Sequence, residues 1–417
     1  MVNARKVVGV LLGAALPVVA LVAPAGAQGT QVGESTAYQA NARHDGSVAD
    51  SLIGAPPLTK KWSRDLGGSV SYPIVAGGRV FATAKSPSGY GTTLYAVNAR
   101  TGKNAWAPVN LAGTDWWSAL AYGGGRLYAL NGDGVLTAFD PATGAKIWTA
   151  ALPGQYSFTS APTYADGVVY TGGAGSGGTL YAVDAASGTV RWTQSVMNGD
   201  ESSPAVTAEG VYVSYACEQT YAFSPASGSP LWHHDTDCEG GGGRTPVLAD
   251  GGVWVRDAAV KTPTVLDAGT GAVRGTYTAG GPAPVPAFDG RRGYFVDSGV
   301  LQERDSRTLA SSWTFNGDSQ LDTAPIVVNG YVYVGSRTGH LWALNGATGK
   351  SVWSTSVGAP INAPDEQNPS QPLTGLGAGD GVVVVPATNL LVAYGQPVNG
   401  AGGRPPAGTP SVHPVSR

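Results

Sequence analysis

From about residue 59 to residue 395 the chain is made of short runs in which apolar and polar residues alternate, separated by turn residues. Runs of this length with a period of two predict strands rather than helices. They recur in a fixed order. A strand opened by proline comes first, as in Pro73-Ile-Val75, Pro162-Thr-Tyr164, Pro204-Ala-Val206, Pro246-Val-Leu248 and Pro325-Ile-Val327. A strand opened by glycine follows, as in Gly167-Val-Val-Tyr170, Gly210-Val-Tyr-Val213 and Gly330-Tyr-Val-Tyr-Val334. The third reads Leu94-Tyr-Ala-Val97, Leu136-Thr-Ala-Phe139, Leu180-Tyr-Ala-Val183 or Leu341-Trp-Ala-Leu344, and the fourth carries a tryptophan.

Between the third and fourth strands lies a turn with a legible chemistry. It reads Asn98-Ala-Arg-Thr-Gly-Lys-Asn-Ala-Trp106, Asp140-Pro-Ala-Thr-Gly-Ala-Lys-Ile-Trp148 and Asp184-Ala-Ala-Ser-Gly-Thr-Val-Arg-Trp192, and it returns before Trp232, Trp313 and Trp353. The opening Asp or Asn bonds back to the turn backbone, and the glycine supplies the positive φ that a return into the next strand needs. These acids therefore read as turn-formers. Tryptophans follow one another at 42, 44, 40 and 40 residues, and the step of 81 from Trp232 to Trp313 holds two periods. The unit between them, Asp267-Ala-Gly-Thr-Gly-Ala-Val-Arg-Gly275, has glycine in place of tryptophan.

Repeats of about forty residues with four strands each bury their faces only by stacking, and radial stacking gives a propeller. The fold class is thus all-β. Seven full units are present, and an eighth begins after Pro372 but ends near Leu390-Leu-Val-Ala-Tyr394 without a fourth strand. The missing strand stands at the other end, as Lys60-Lys-Trp-Ser-Arg-Asp-Leu66, with Trp62 one period (44 residues) before Trp106. Pairing it with the last blade would close the ring and leave no open edge. The count is eight blades, with seven as the alternative.

The ends of the chain read differently. Arg5 and Lys6 precede an apolar run to Ala23, and Ala25-Gly26-Ala27 offers a cleavage site, so residues 1–27 are expected to be an export signal removed before Gln28. Residues 28–58 form a lead-in, and residues 396–417, rich in Gly and Pro, read as a disordered tail. The processed chain is expected to be secreted, monomeric and without a membrane span. The export route makes a disulfide between Cys217 and Cys238 the expectation, since both fall in loops at the same end of one blade. A net charge of -3 with only 13% charged residues offers no basic field for nucleic acid.

The Leu-Tyr-Ala-Val strand followed by Thr-Gly and Trp resembles the repeat of the pyrroloquinoline-quinone (PQQ)-like propeller family over about residues 59–395. The resemblance implies that Trp62, Trp106, Trp148, Trp192, Trp232, Trp313 and Trp353 pack between neighbouring blades. Blades five and six depart from the pattern at Gly275 and Leu309, which predicts looser packing or an irregular turn there. The family holds both quinone-dependent dehydrogenases and cofactor-free members, among them the propeller lipoprotein of the outer-membrane assembly machinery. A dehydrogenase of this type would clamp PQQ between a tryptophan and a disulfide of adjacent cysteines, with calcium beside it. No adjacent cysteines occur here, so no cofactor and no metal are expected, with PQQ plus calcium as the alternative.

No catalytic motif stands out. Strand alternation places the loops that leave each Trp strand, and those joining second to third strands, at the end of the ring opposite the Thr-Gly turns. That end gathers Asp115, Trp116, Trp117, Tyr156, Phe158, Asp200, Glu201, Asp365 and Glu366 as candidate ligand residues. His233 and His234, adjacent on a strand, point to opposite faces and do not suit one metal ion. The expected role is a non-enzymatic binding or scaffold module for an unidentified protein or cell-envelope ligand.

Overall fold

Eight sheets, each built on four antiparallel strands, make up the computed structural model, and in seven of them those four strands are consecutive in the chain. Met1 and residues 32–175, 177–197, 202–236, 243–256, 262–278 and 283–397 are described. Blades 1 to 7 begin with inner strands at Ile74–Ala76, Ser118–Gly123, Thr163–Ala165, Ala205–Val206, Val247–Ala249, Ala287–Asp289 and Ile326–Val328. Blade 8 comprises Gly377–Gly379, Val382–Ala387 and Leu390–Gly395, and Thr59–Asp65 supplies its outer strand, with Trp62 opposite Ala393. The propeller is therefore eight-bladed and closed by its N-terminal strand.

The turn chemistry repeats in atomic detail. Asp140 Oδ1 accepts from the N–H of Ala142 (2.9 Å), the N–H of Thr143 (2.8 Å) and the Thr143 hydroxyl (2.9 Å). Asp184, Asp267, Asp305, Asn98 and Asn345 make the same set.

Those turns meet the tryptophans of the preceding blade. Nε1 of Trp62 donates to Ala99 O at 2.8 Å, and a Cβ on Gly102 would lie 2.7 Å from the indole. Trp106, Trp148, Trp192, Trp232 and Trp313 repeat the arrangement on Gly144, Gly188, Gly228, Gly271 and Gly349. A side chain on any of these glycines would displace the indole, and the φ of each is positive. Trp353 faces blade 8, where the chain makes no such turn, and packs edge-on against Tyr394 at 5.4 Å.

At the two departures the structure corrects the expected irregularity. Leu309 keeps the left-handed backbone of the turn (φ 58°), and its N–H bonds to Asp305 O at 2.9 Å, as the glycines do. Its Cδ1 lies 3.5 Å from where a Cβ on Gly275 would stand. Leucine thus reaches into the space that the absent indole leaves, and the two substitutions compensate each other.

The lead-in has a larger role than its sequence announces. It runs across the inner strands of all eight blades at the Thr-Gly end of the hub. Ser35 exchanges two backbone bonds of 2.9 Å with Val75 and bonds Ala378 O through its hydroxyl at 2.7 Å. The N–H groups of Tyr122, Val206, Leu248, Phe288 and Val327 donate to the carbonyls of Thr36, Ala42, Arg43, Asp45 and Gly46. His44 reaches the Thr163 hydroxyl of blade 3 at 3.3 Å, and Ser47–Val48 adds a parallel strand to blade 7. Among the described residues no helix is long and apolar enough to cross a membrane.

Candidate functional site

The lead-in crosses the hub at the Thr-Gly end, and the opposite mouth is where the candidate loop residues lie. A strap of residues 359–371, between blades 7 and 8, crosses that mouth. Ile361 N–H bonds Ser336 O at 3.1 Å, and Gln367 Nε2 reaches Gly243 O at 3.2 Å. Farther along, Pro369 O accepts from Trp116 N–H at 3.1 Å, and Ser370 O accepts from Lys85 Nζ at 3.1 Å. The strap therefore ties blades 7, 5 and 1 together above the hub.

Glu366 sits on the underside of the strap, not on an open face as the sequence suggested. It is 1% exposed and bonds Arg256 Nη2 at 2.7 Å and Thr245 N–H at 2.5 Å. Burial alone would raise the pKa of its carboxyl, but Arg256, Arg244 and these bonds bring it below the ordinary value. Trp117 and Phe158 also depart from expectation, for a packing reason. Trp117 precedes the inner strand of blade 2 and turns into the core, while Phe158 fills space that Gly134 and Gly173 leave open. Asp365 is exposed. Asp200 and Glu201 lie outside the described residues.

What the loop-rich face does present is an aromatic pair, Trp116 with Tyr90, capped by the ammonium of Lys85. Lys85 Nζ lies 4.2 Å from the centre of the Trp116 ring, and Tyr90 packs against that ring at 4.8 Å with the planes tilted 35°. Trp116 Nε1 is fixed to Gly89 O at 2.8 Å, and Tyr90 is 62% exposed. The sequence reading put the loop joining second to third strands at this end but did not single out Tyr90, since nothing local says that it meets Trp116. Tyr156, 72% exposed, is held by its hydroxyl to Gly175 O at 2.8 Å. Asp115, next to Trp116 in the chain, is half-buried, and desolvation, with Asp133 nearby, raises its pKa.

The remaining candidates are structural or unplaced. His233 stacks on Tyr221 at 3.9 Å and bonds Gln219 Oε1 at 2.7 Å. Cys217 occupies a left-handed position (φ 64°) in the Ala216–Glu218 turn of blade 4, and Cys238 lies outside the described residues. The expected export signal falls almost wholly at residues 2–31, and the tail at residues 398–417, also outside them. Among the described residues no three His, Cys, Asp or Glu side chains converge as a metal site.

Comparison with known proteins agrees with this architecture. The chain is 26% identical over 261 residues to the outer membrane protein assembly factor BamB of Yersinia pestis, covering 59% of this chain and 58% of that protein. It is 26% identical over 355 residues to the dehydrogenase subunit of a quinone alcohol dehydrogenase from Gluconacetobacter polyoxogenes, covering 74% of this chain and 45% of that one. It thus spans less than two thirds of either relative. The crystal structure of BamB from Moraxella catarrhalis superposes with a TM-score of 0.59 at 19% identity, over 83% of this chain and 99% of that one. The family described as outer membrane protein assembly factor BamB matches residues 27–152, 91–218, 132–282 and 216–394. With nearly the whole propeller so matched, the chain belongs to that family of PQQ-like β-propellers.

Proposed function

We propose that the protein is an exported, non-enzymatic propeller that binds an envelope or extracellular partner through its loop-rich face, centred on Tyr90, Trp116 and Tyr156. The observation that carries this reading is the contrast between the two parts of that face. The strap turns Glu366 inward, where it is buried against Arg256, whereas Tyr90 stands outward on a Trp116 fixed to the backbone of Gly89. Aromatic side chains held rigidly at a surface supply contact area at little entropic cost, which suits recognition.

The rival reading is a dehydrogenase that uses PQQ and calcium, and the residues present do not fit that cofactor. A planar ring needs an open slot at the hub mouth, and the strap occupies it. The clamp of tryptophan against adjacent cysteines has no counterpart, since Trp117 is core and Cys217 and Cys238 are separated in the chain. No reaction step is therefore derived through PQQ. The oxidising environment implied by export also supports a bond between Cys217 and Cys238.

Site-specific photo-crosslinking in the native host tests the binding face. Crosslinkers replacing Tyr90 or Tyr156 should capture one identifiable envelope or secreted partner, and a crosslinker replacing Arg100 at the Thr-Gly end should not. Equal capture from both ends, or none from Tyr90 and Tyr156, would contradict the proposal.

A further inference from the structure

Blade 6 carries a carboxylate where most blades carry a methyl group. In blades 2, 3, 4, 7 and 8 the third-strand residue opposite the tryptophan is Ala138, Ala182, Ala222, Ala343 and Ala393. Opposite Trp313 it is Glu303. Glu303 also pairs with Tyr294 on its other side, so Tyr294, Glu303 and Trp313 form one row on one face of the sheet. The matching rows of blades 2, 3 and 4 hold their tyrosine and tryptophan rings 5.9, 5.8 and 5.9 Å apart. Tyr294 and Trp313 keep that spacing, at 5.9 Å. The longer side chain therefore does not open the row. It reaches instead into a cavity of about 560 Å³, lined by Arg291, Arg292, Glu303, Asp305 and Ser312 and closed by Ala347 of blade 7.

Glu303 is 5% exposed, and its Oε2 accepts a hydrogen bond from the Ser312 hydroxyl. Among the described residues it makes no ion pair. A buried carboxylate met only by a neutral hydroxyl lacks the cation that such a group requires. Arg291 does not supply it, being held by Asp305 at 2.8 Å. Arg292 pairs with Asp305 in the strand register, two residues along from Tyr294 and Glu303, so it shares their face. Diagonal neighbours of this kind have Cα atoms roughly 7–8 Å apart, within reach of two long side chains. Arg292 nonetheless makes no ion pair among the described residues, and the cavity is lined by both charges.

A simple cation would answer Glu303 and repel Arg292, and a simple anion would do the reverse. A molecule whose ammonium and carboxylate stand on one carbon answers both. We infer that this cavity binds a small zwitterion of the α-amino-acid class, with its ammonium on Glu303 and the Ser312 oxygen and its carboxylate on Arg292. The site lies at the Thr-Gly end, beside the turns of blades 6 and 7, and stands whether or not the loop-rich face has the proposed role.

Titration of the processed chain with L-alanine, read by calorimetry and by melting temperature, tests the site. One saturable event per chain is expected. N-acetyl-L-alanine lacks the ammonium and L-alaninamide lacks the carboxylate, so each should bind about tenfold more weakly or worse, having lost a charge-assisted contact. Glu303→Ala should weaken L-alanine binding by a like factor. That variant installs the residue that blades 2, 3, 4, 7 and 8 carry here, so it keeps the fold. Arg292→Gln, at an exposed side chain, should weaken binding equally. No saturable response in either readout, a blocked form that binds as tightly as L-alanine, or binding retained in either variant would overturn the site.

Discussion

The contact between a tryptophan of one blade and the turn glycine of the next is the smallest unit of interblade packing here. Its energetics follow from two facts: the glycine has positive φ, and its missing Cβ is where the indole lies. The exchange at Gly275 and Leu309 shows that the unit tolerates a swap of partners provided the space stays filled. Gly275→Trp alone should destabilise, because the new indole meets Leu309, and Leu309→Gly alone should destabilise by leaving a void. Combining them should restore the pattern of the other blades, with a coupling energy of about 1–3 kcal/mol in urea unfolding. Additive effects would show that the two positions do not share one space. This pair was visible in the sequence only as two separate anomalies, since nothing local says that residues 34 apart face each other.

At the level of the element, the turns joining third to fourth strands tie folding to pH. In Asp140 the Thr143 hydroxyl and N–H hold the carboxyl below its ordinary value, and in Asp267 Thr270 does the same. A carboxylate depressed in the folded state contributes stability that is complete above its unfolded pKa of about 3.9 and is lost as pH falls further. Asn98 and Asn345 make the same bonds without titrating, so asparagine fits the turn. Asp140→Asn with Asp267→Asn should leave the melting temperature at pH 7 within about 1 °C of the natural chain. Between pH 4 and pH 2 the variant should lose less stability than the natural chain. An equal loss would show that these turns do not titrate as described. Such turns were readable from sequence because their chemistry is local, spanning five residues. The fate of neighbouring loop residues was not. Trp116 and Trp117 differ by one position, yet the first joins an aromatic pair at the surface and the second enters the core, according to contacts with distant loops.

Across the whole molecule, two non-repeating segments convert a row of blades into a closed ring with a strap-covered hub. The outer strand of blade 8 comes from residues 59–65, and the lead-in bonds every inner strand. A chain starting at Thr59 should melt below the processed chain, and one starting at Gly67 lower still, since it also exposes the edge of blade 8. If the chain starting at Gly67 melts with the processed one, closure does not hold the ring. The closing strand was legible because it carries the repeat's tryptophan at the right spacing. Strap and lead-in were not, because they repeat nothing: Glu366 meets Arg256 across 110 residues, and Ser35 meets Ala378 across 343.

On the proposed reading, the strap-covered hub is also what separates a binding propeller from a quinone enzyme on the same scaffold. The most direct measurement is therefore an equilibrium titration of the processed protein with PQQ in the presence of calcium, followed by absorbance and then by alcohol-dependent dye reduction. The account predicts no saturable change in the PQQ spectrum and no dye reduction above that of free PQQ. A saturable spectral shift at one quinone per chain, accompanied by alcohol-dependent turnover, would contradict it.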